Sequence, residues 1–185
     1  MNQSPIVITG TGLVTSLGLS ASDTWANILA GKSGFSAMPA LETPALDGKG
    51  GYQAVDLPAD FAPGLPREIR YLRFAIDQAL VIAGAADRLP YPRHRCGIAL
   101  GTTLHGMRNG GAFLRTGDFA LLRSFLAGSV VQQATEGLRF GGDRFTTCSA
   151  CSSSLGSIAL ACTLLETGQL DLVVAGGYDA VSEYA

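Results

Sequence analysis

An α/β fold built on a parallel sheet is predicted by two observations. Short β-branched runs alternate with stretches of helical period along the chain. Those runs are apolar at successive positions instead of alternating, as strands covered on both faces are. The 185 residues suffice for one domain with a sizeable core, and the chain carries neither an internal repeat nor a low-complexity tract.

The elements follow in order. Residues 5–9, "PIVIT", read as a buried strand that ends in the turn "GTG". From Ser20 the pattern turns helical, with Trp25, Ile28 and Leu29 on one face, Ser22 as the cap and Gly31 closing the C-terminus. Residues 34–66 are rich in Gly and Pro, without a period, and read as an irregular covering segment. Pro66 suits the first turn of a helix in which Ile69, Leu72, Ile76, Ala79, Leu80 and Ala83 recur at three and four. Residues 95–103, "RCGIALGTT", form the second strand. Two modest helices are expected at 119–126 and 130–138, a third strand at 144–150, a helix at 152–166 and a fourth strand at 170–177.

The helix at 152–166 is apolar almost all round. Leu155, Ile158, Ala159, Leu160, Ala161, Cys162, Leu164 and Leu165 cover nearly its whole circumference. Such a helix is buried on all sides. One sheet covers one side only, and the chain offers no obvious second layer for the other.

Bulk properties narrow the function. Hydrophobic residues make up 47% and charged residues 15%, so much of the surface is expected to be buried against something else. Net charge is −2 without a Lys/Arg cluster, which speaks against nucleic acid. No apolar run reaches the roughly 18 residues of a membrane span. "PIVITGTGLV" lacks a basic leader, so no signal peptide is expected. The four cysteines lack a regular spacing and read as reduced cytoplasmic thiols.

"TGTGLVTSLG" has the strand and first glycines of a dinucleotide loop. Thr15 occupies the third glycine position, and the helix begins too late to meet a pyrophosphate. A tight turn with close backbone packing is the plainer reading, and no cofactor is expected. Cys148 and Cys151, in "TTCSACSSSLG", allow three readings. A redox pair usually has both thiols in the first turn of a helix, whereas Cys148 lies in a strand-like run and would face away from Cys151. A zinc site wants further ligands, yet there is no second CxxC, and His94 and His105 are far off in sequence. The third reading fits better: Cys151 as a nucleophile on a strand-to-helix turn. Ser149, Ala150, Ser152, Ser153 and Ser154 permit a sharp turn, and free amides at the helix start favour a thiolate and can hold an oxyanion. A buried core cysteine is the structural alternative.

"VITGTGLVTSLG", "TWANILAGKSGF", "GIALGTT", "SACSSSLGSIALA" and "LETGQLDLVVAGGYDAVSE" together, in this order, resemble the N-terminal half of β-ketoacyl-acyl carrier protein synthases of the elongating, type II kind. The resemblance covers the chain apart from residues 34–66. It implies a thiolase-like fold of two similar α/β halves with buried helices between them, which would supply the missing cover for residues 152–166. Cys151 falls on the family's acyl-accepting nucleophile, its backbone N–H on part of the oxyanion hole, and Leu104 on a position lining the acyl pocket. The implied reaction is decarboxylative Claisen condensation in fatty acid or polyketide synthesis. The implied partners are acyl carrier protein and a C-terminal half or full-length ketosynthase, in a cytoplasmic homo- or heterodimer.

Departures accompany the resemblance. The family is about twice as long, and its two catalytic histidines and supporting lysine lie in the second half. His94 is expected to be solvated and His105 to sit near the pocket rim, neither in a catalytic context. Residues 1–185 are thus expected to form an N-terminal domain lacking its fifth strand and the C-terminal half, inactive in condensation alone. Gly142–Asp143 stands where the family has Gly-Pro, and the preceding helical stretch is short, in a region of dimer contacts. A non-catalytic, half-length partner of a full-length ketosynthase, like a chain-length factor, is the alternative.

Overall fold

A computed structural model describes residues 5–37 and 49–184. The elements in chain order are α1 (Ala21–Leu29), β1 (Phe35–Ala37), β2 (Gly50–Tyr52), α2 (Arg67–Ile82), β3 (Cys96–Gly101), α3 (Met107–Thr116), α4 (Ala127–Ala134), β4 (Arg144–Thr147), α5 (Ser153–Glu166) and β5 (Leu172–Gly177). Strands β4, β3 and β5, in that spatial order, form a parallel sheet.

The centre of the sheet is β3, all six of whose residues are buried. Side chains alternate across a strand. Cys96, Ile98 and Leu100 point into a core shared with Ile69, Leu72, Ile76 and Leu80 of α2 and Val130, Val131 and Ala134 of α4. Each large apolar side chain fully buried there contributes on the order of 1.5–3 kcal/mol. The alternate residues Gly97, Ala99 and Gly101 face α5, whose buried stripe is Ser153, Ser157, Ala161 and Leu164. Small residues on both sides let the helix close on the strand. A Cβ at Gly101 would collide with the Ser153 carbonyl. The three layers are therefore α2 and α4, the sheet, and α5.

On the far side, α5 is bare. Leu155 is 70% exposed and Ile158 44%. The apolar circumference read from the sequence is real, and the sheet covers only one side of it.

The helix periods of α2 and α5 and the parallel strands match expectation, with strand ends one to three residues shorter. Several expectations are corrected. Residues 5–9 join no strand ladder, and Val7 and Ile8 are 67% and 86% exposed. A β-branched run becomes a strand only when it pairs, and this one pairs with neither open side of the sheet, the outer edges of β4 and β5. The cap of α1 is Ser20, whose Oγ accepts the Asp23 amide at 3.0 Å, not Ser22. Trp25, Ile28 and Leu29 do share a side of α1, but they are exposed. Gly31 closes the helix at φ +66°. Residues 34–66 include the β1–β2 hairpin, with Phe35 and Tyr52 packed edge to face; residues 38–48 of that segment lie outside the described residues. Helix α3 was hidden by Gly106, Gly110 and Gly111, which depress helix propensity. Residues 119–124 form a 3-10 turn in place of the α-helix expected at 119–126, and the following helix begins at Ala127 instead of 130. Gly10 and Gly12 serve close packing, since Cβ atoms there would strike the backbone of α2.

Candidate active site

In a parallel sheet, loops at the C-terminal ends of the strands form the usual crevice for ligands. Here three such loops meet. The Thr102 amide donates to the Thr147 carbonyl at 3.0 Å and the Tyr178 amide to the Gly101 carbonyl at 3.0 Å, so the ladders continue one residue past β3 and β5.

The ladder of β4 ends at Thr147, so Cys148 lies just past the strand. Ala150 takes a left-handed conformation, φ +50°, uncommon for a residue with a Cβ. A 3-10 turn over Ala150–Ser152 then leads into α5. Hydroxyls hold this corner. Ser153 Oγ accepts the Ser149 amide at 2.8 Å and donates to the Ala150 carbonyl at 2.7 Å. Thr103 Oγ1 donates to the same carbonyl at 2.7 Å, and Thr147 Oγ1 to the Ser153 carbonyl at 2.8 Å. Ser153 is only 3% exposed, whereas the Thr103–Ala150 bond lies at the surface.

Cys151 sits exposed on this turn. The first amide the turn uses is that of Ser152, bonded to the Ser149 carbonyl at 3.2 Å. The Cys151 amide precedes it and is free of the turn's own bonding, next to the N-terminal dipole of a 14-residue helix. An exposed thiol beside such an amide can attack a carbonyl and have the resulting oxyanion held. Cys148 is also exposed. Cys96 is fully buried, and burial, with a smaller effect of Asp171, pushes its thiol pKa up.

Leu104 is half-buried on the loop after β3, next to Thr103, which ties that loop to the Cys151 turn. His105, on the same loop at φ +30°, turns away: its Nδ1 lies 2.6 Å from the Phe125 carbonyl, and its ring packs on Phe125. His94 is exposed in the turn before β3, at the opposite end of that strand from Cys151. Among the described residues no three His, Cys, Asp or Glu side chains are grouped to hold a metal ion, and no helix is long and apolar enough to cross a membrane.

A cavity of about 330 Å³ lies apart from Cys151, between residues 12–16, the β1–β2 hairpin, the start of α2 and residues 177–181. Glu68 lines it, and burial raises the pKa of its carboxyl. Burial likewise raises that of the Tyr178 phenol beside it.

The sequence reading missed Thr103, Ser153 and Asp179 as organisers of the corner. The available signal was weak: hydroxyl and carboxyl residues just past the C-terminal ends of parallel strands.

Residues 3–184 match the family model described as the β-ketoacyl synthase, N-terminal domain. The chain is 27% identical over 201 residues to a 3-oxoacyl-[acyl-carrier-protein] synthase 2 of Coxiella burnetii, covering 98% of this chain and 47% of that protein. Among solved structures, the ishigamide ketosynthase/chain length factor superposes with a TM-score of 0.81 at 24% identity, over 96% of this chain and 48% of that one. A type II ketosynthase solved in complex with its acyl-carrier protein superposes at 0.74 with 20% identity, over 94% and 45%. The chain spans about half the length of the relatives it matches. The fold is accordingly the N-terminal half of the thiolase-like ketosynthase architecture, and the chain belongs to the β-ketoacyl synthase family, of which it carries the N-terminal domain.

Proposed function

We propose that this chain supplies the acyl-accepting part of a β-ketoacyl-acyl carrier protein synthase, with Cys151 as the nucleophile. One observation carries the reading: Cys151 is exposed on a turn whose preceding carbonyl is pinned by two hydroxyls, directly before a helix start whose leading amide is free of the turn's bonds.

The Cys151 thiolate attacks the thioester carbonyl of an acyl group delivered by acyl carrier protein. The oxyanion forms against the Cys151 N–H. Collapse breaks the bond to the carrier's sulfur, which leaves as a thiol after protonation, and the acyl group stays on Cys151 as a thioester. Condensation then needs loss of carbon dioxide from a malonyl-carrier thioester, and attack of the resulting enolate on the Cys151 thioester carbonyl, whose bond to Cys151 Sγ breaks as the thiolate leaves. That enolate oxygen requires positioned donors, which we assign to the second half of the family's fold. Residues 1–185 are one domain in this reading, and the bare side of α5 is where the second half packs. Leu104 forms part of the wall along the acyl chain. The assembly is a cytoplasmic dimer, homomeric or with a separate full-length ketosynthase.

The test is acyl transfer. The 185-residue chain is incubated with labelled acyl-carrier protein, with and without a C-terminal ketosynthase half, and its cysteine peptides are examined by mass spectrometry. Label on Cys151 that disappears in Cys151→Ala supports the reading. Label on Cys148, or none in either condition, refutes it. Carbon dioxide release from malonyl-carrier protein by the lone chain, lost in Cys151→Ala, would refute the assignment of decarboxylation to the second half.

A further inference from the structure

Asp179 lies two residues past the end of β5, and one of its oxygens organises a loop on the neighbouring strand. Its Oδ1 accepts the Thr102 hydroxyl at 2.8 Å, the Thr103 amide at 2.9 Å and the Leu104 amide at 2.6 Å. The Thr102 hydroxyl in turn accepts the His105 amide at 2.9 Å. Three consecutive amides are thus gathered on one carboxylate, two directly and one through a buried hydroxyl, Thr102 being 1% exposed. His105 takes a positive φ of 30°, and no backbone carbonyl among the described residues accepts the Thr103, Leu104 or His105 amide. Bonds to an ionised acceptor are about twice as strong as neutral ones, and the carboxylate replaces the acceptors the loop lacks.

The same loop ends at the nucleophile corner. Thr103 Oγ1 reaches the carbonyl of Ala150, the residue before Cys151. Cys151 follows β4, the loop follows β3 and Asp179 follows β5, and the strands stand in the order β4-β3-β5. A connected path therefore runs from Asp179 through Thr102–Leu104 to Ala150. It ties the Leu104 backbone to the strained turn that presents the thiol.

We infer that Asp179 is a positioning residue for acyl transfer: it holds the loop bearing Leu104 and Thr103, and through it both the placement of the Cys151 thiol and the discrimination between short and long acyl chains. The inference rests on the acyl-accepting role proposed for Cys151.

The experiment compares the wild-type chain with Asp179→Ala and Asp179→Asn. Amide hydrogen exchange is read at Thr103 and Leu104. In parallel, Cys151 is alkylated with iodoacetamide and with an iodoacetamide carrying a long n-alkyl chain, and Cys148 in the same molecule serves as the internal reference, so loss of fold moves both thiols together. In Asp179→Ala the two amides should exchange faster, and the Cys151-to-Cys148 rate ratio and the long-to-short probe ratio at Cys151 should shift by about tenfold. Asp179→Asn keeps an acceptor oxygen without the charge and should shift them less, which reads the effect should the alanine variant fail to fold. Unchanged exchange at Thr103 and Leu104 overturns the inference. So does faster exchange with both ratios within twofold of wild type. Failure of the nucleophile reading shows separately: in the wild-type chain Cys151 would then react no faster than Cys148 and would take no acyl group, whatever residue 179 does to the loop.

Discussion

Thr103 Oγ1 and Ser153 Oγ both donate to the carbonyl of Ala150, each at 2.7 Å, and the two hydroxyl oxygens lie 3.5 Å apart at the corner that carries Cys151. The two donors are unequal. Thr103 is exposed, and removing its hydroxyl leaves the carbonyl still bonded to Ser153. Ser153 is buried and also accepts the Ser149 amide, which its loss would strand. Thr103→Val should therefore cost about 0.5–1 kcal/mol, and Ser153→Ala about 1–3 kcal/mol because both bonds of a buried hydroxyl are lost. Urea unfolding of the two variants measures this, and equal costs would contradict the description of the corner.

Thiol reactivity should follow position. A haloacetamide is expected to label Cys151 first, then Cys148, with Cys96 last because it is fully buried and burial raises its pKa. Peptide mass spectrometry over a time course gives the order. Cys148 reacting first, or a Cys148–Cys151 disulfide forming under mild oxidant, would favour the redox reading over the nucleophile.

Gly101 is expected to tolerate no side chain. Its Cβ position is filled by the backbone of Ser153, which cannot swing aside as a side chain could. Gly101→Ala should destabilise by about 1–3 kcal/mol, the range for overpacking a close contact, and should displace the start of α5, slowing Cys151 alkylation relative to Cys148. Wild-type stability together with a wild-type alkylation ratio would argue against the tight β3–α5 contact.

Glu68 gives the fold a pH dependence of defined sign. Its carboxyl pKa is raised above the ordinary 4.5 chiefly by burial, opposed by its backbone hydrogen bond, by Arg108, by the Asn109 bond and by Arg67. The folded state then holds this proton more tightly than the unfolded state does. This contribution is present below 4.5 and is lost as pH rises through the raised folded value. Glu68→Gln keeps an acceptor for Asn109, whose Nδ2 lies 2.8 Å from Glu68 Oε1. It should match wild type at pH 4 and exceed it at pH 7. Urea midpoints at the two values check this, and a variant less stable at pH 7 would reverse the sign.

Periodicity and β-branching revealed what depends on local pattern: α2, the parallel strands β3, β4 and β5, and the all-round apolar α5. The candidate site was read from the small residues around Cys151 and from the order of five motifs. Three kinds of feature were not legible. Residues 5–9 have strand chemistry, but whether such a run pairs with a sheet edge is decided by the assembled fold and not by local pattern. Helix α3 runs against its glycine content because its turns pack: a Cβ at Gly110 would meet the Phe125 ring. The roles of Thr103 and Asp179 depend on loops from different strands meeting, at a separation of 76 residues, which no local window contains.

The bare side of α5 is the most consequential structural feature for the half-fold reading. Leu155 and Ile158 lie opposite the stripe of Ser153, Ser157 and Ala161 that faces the sheet. Leaving each such side chain wet forgoes on the order of 1.5–3 kcal/mol, against a total margin of about 5–15 kcal/mol for a domain. The lone chain is therefore expected to associate or to be poorly soluble, and a C-terminal ketosynthase half to rescue it. Leu155→Lys separates the cases. If the side chain is exposed in the lone chain, the substitution should change unfolding free energy by no more than about 0.5 kcal/mol, should reduce self-association, and should weaken capture of the second half. If Leu155 were instead packed within this chain, the loss would be about 2–5 kcal/mol. Sedimentation and urea unfolding, with and without the second half, distinguish the outcomes. A wild-type lone chain that is a compact monomer with a sharp, cooperative melt, together with a large loss in Leu155→Lys, would sink the reading of α5 as the face on which a second half packs.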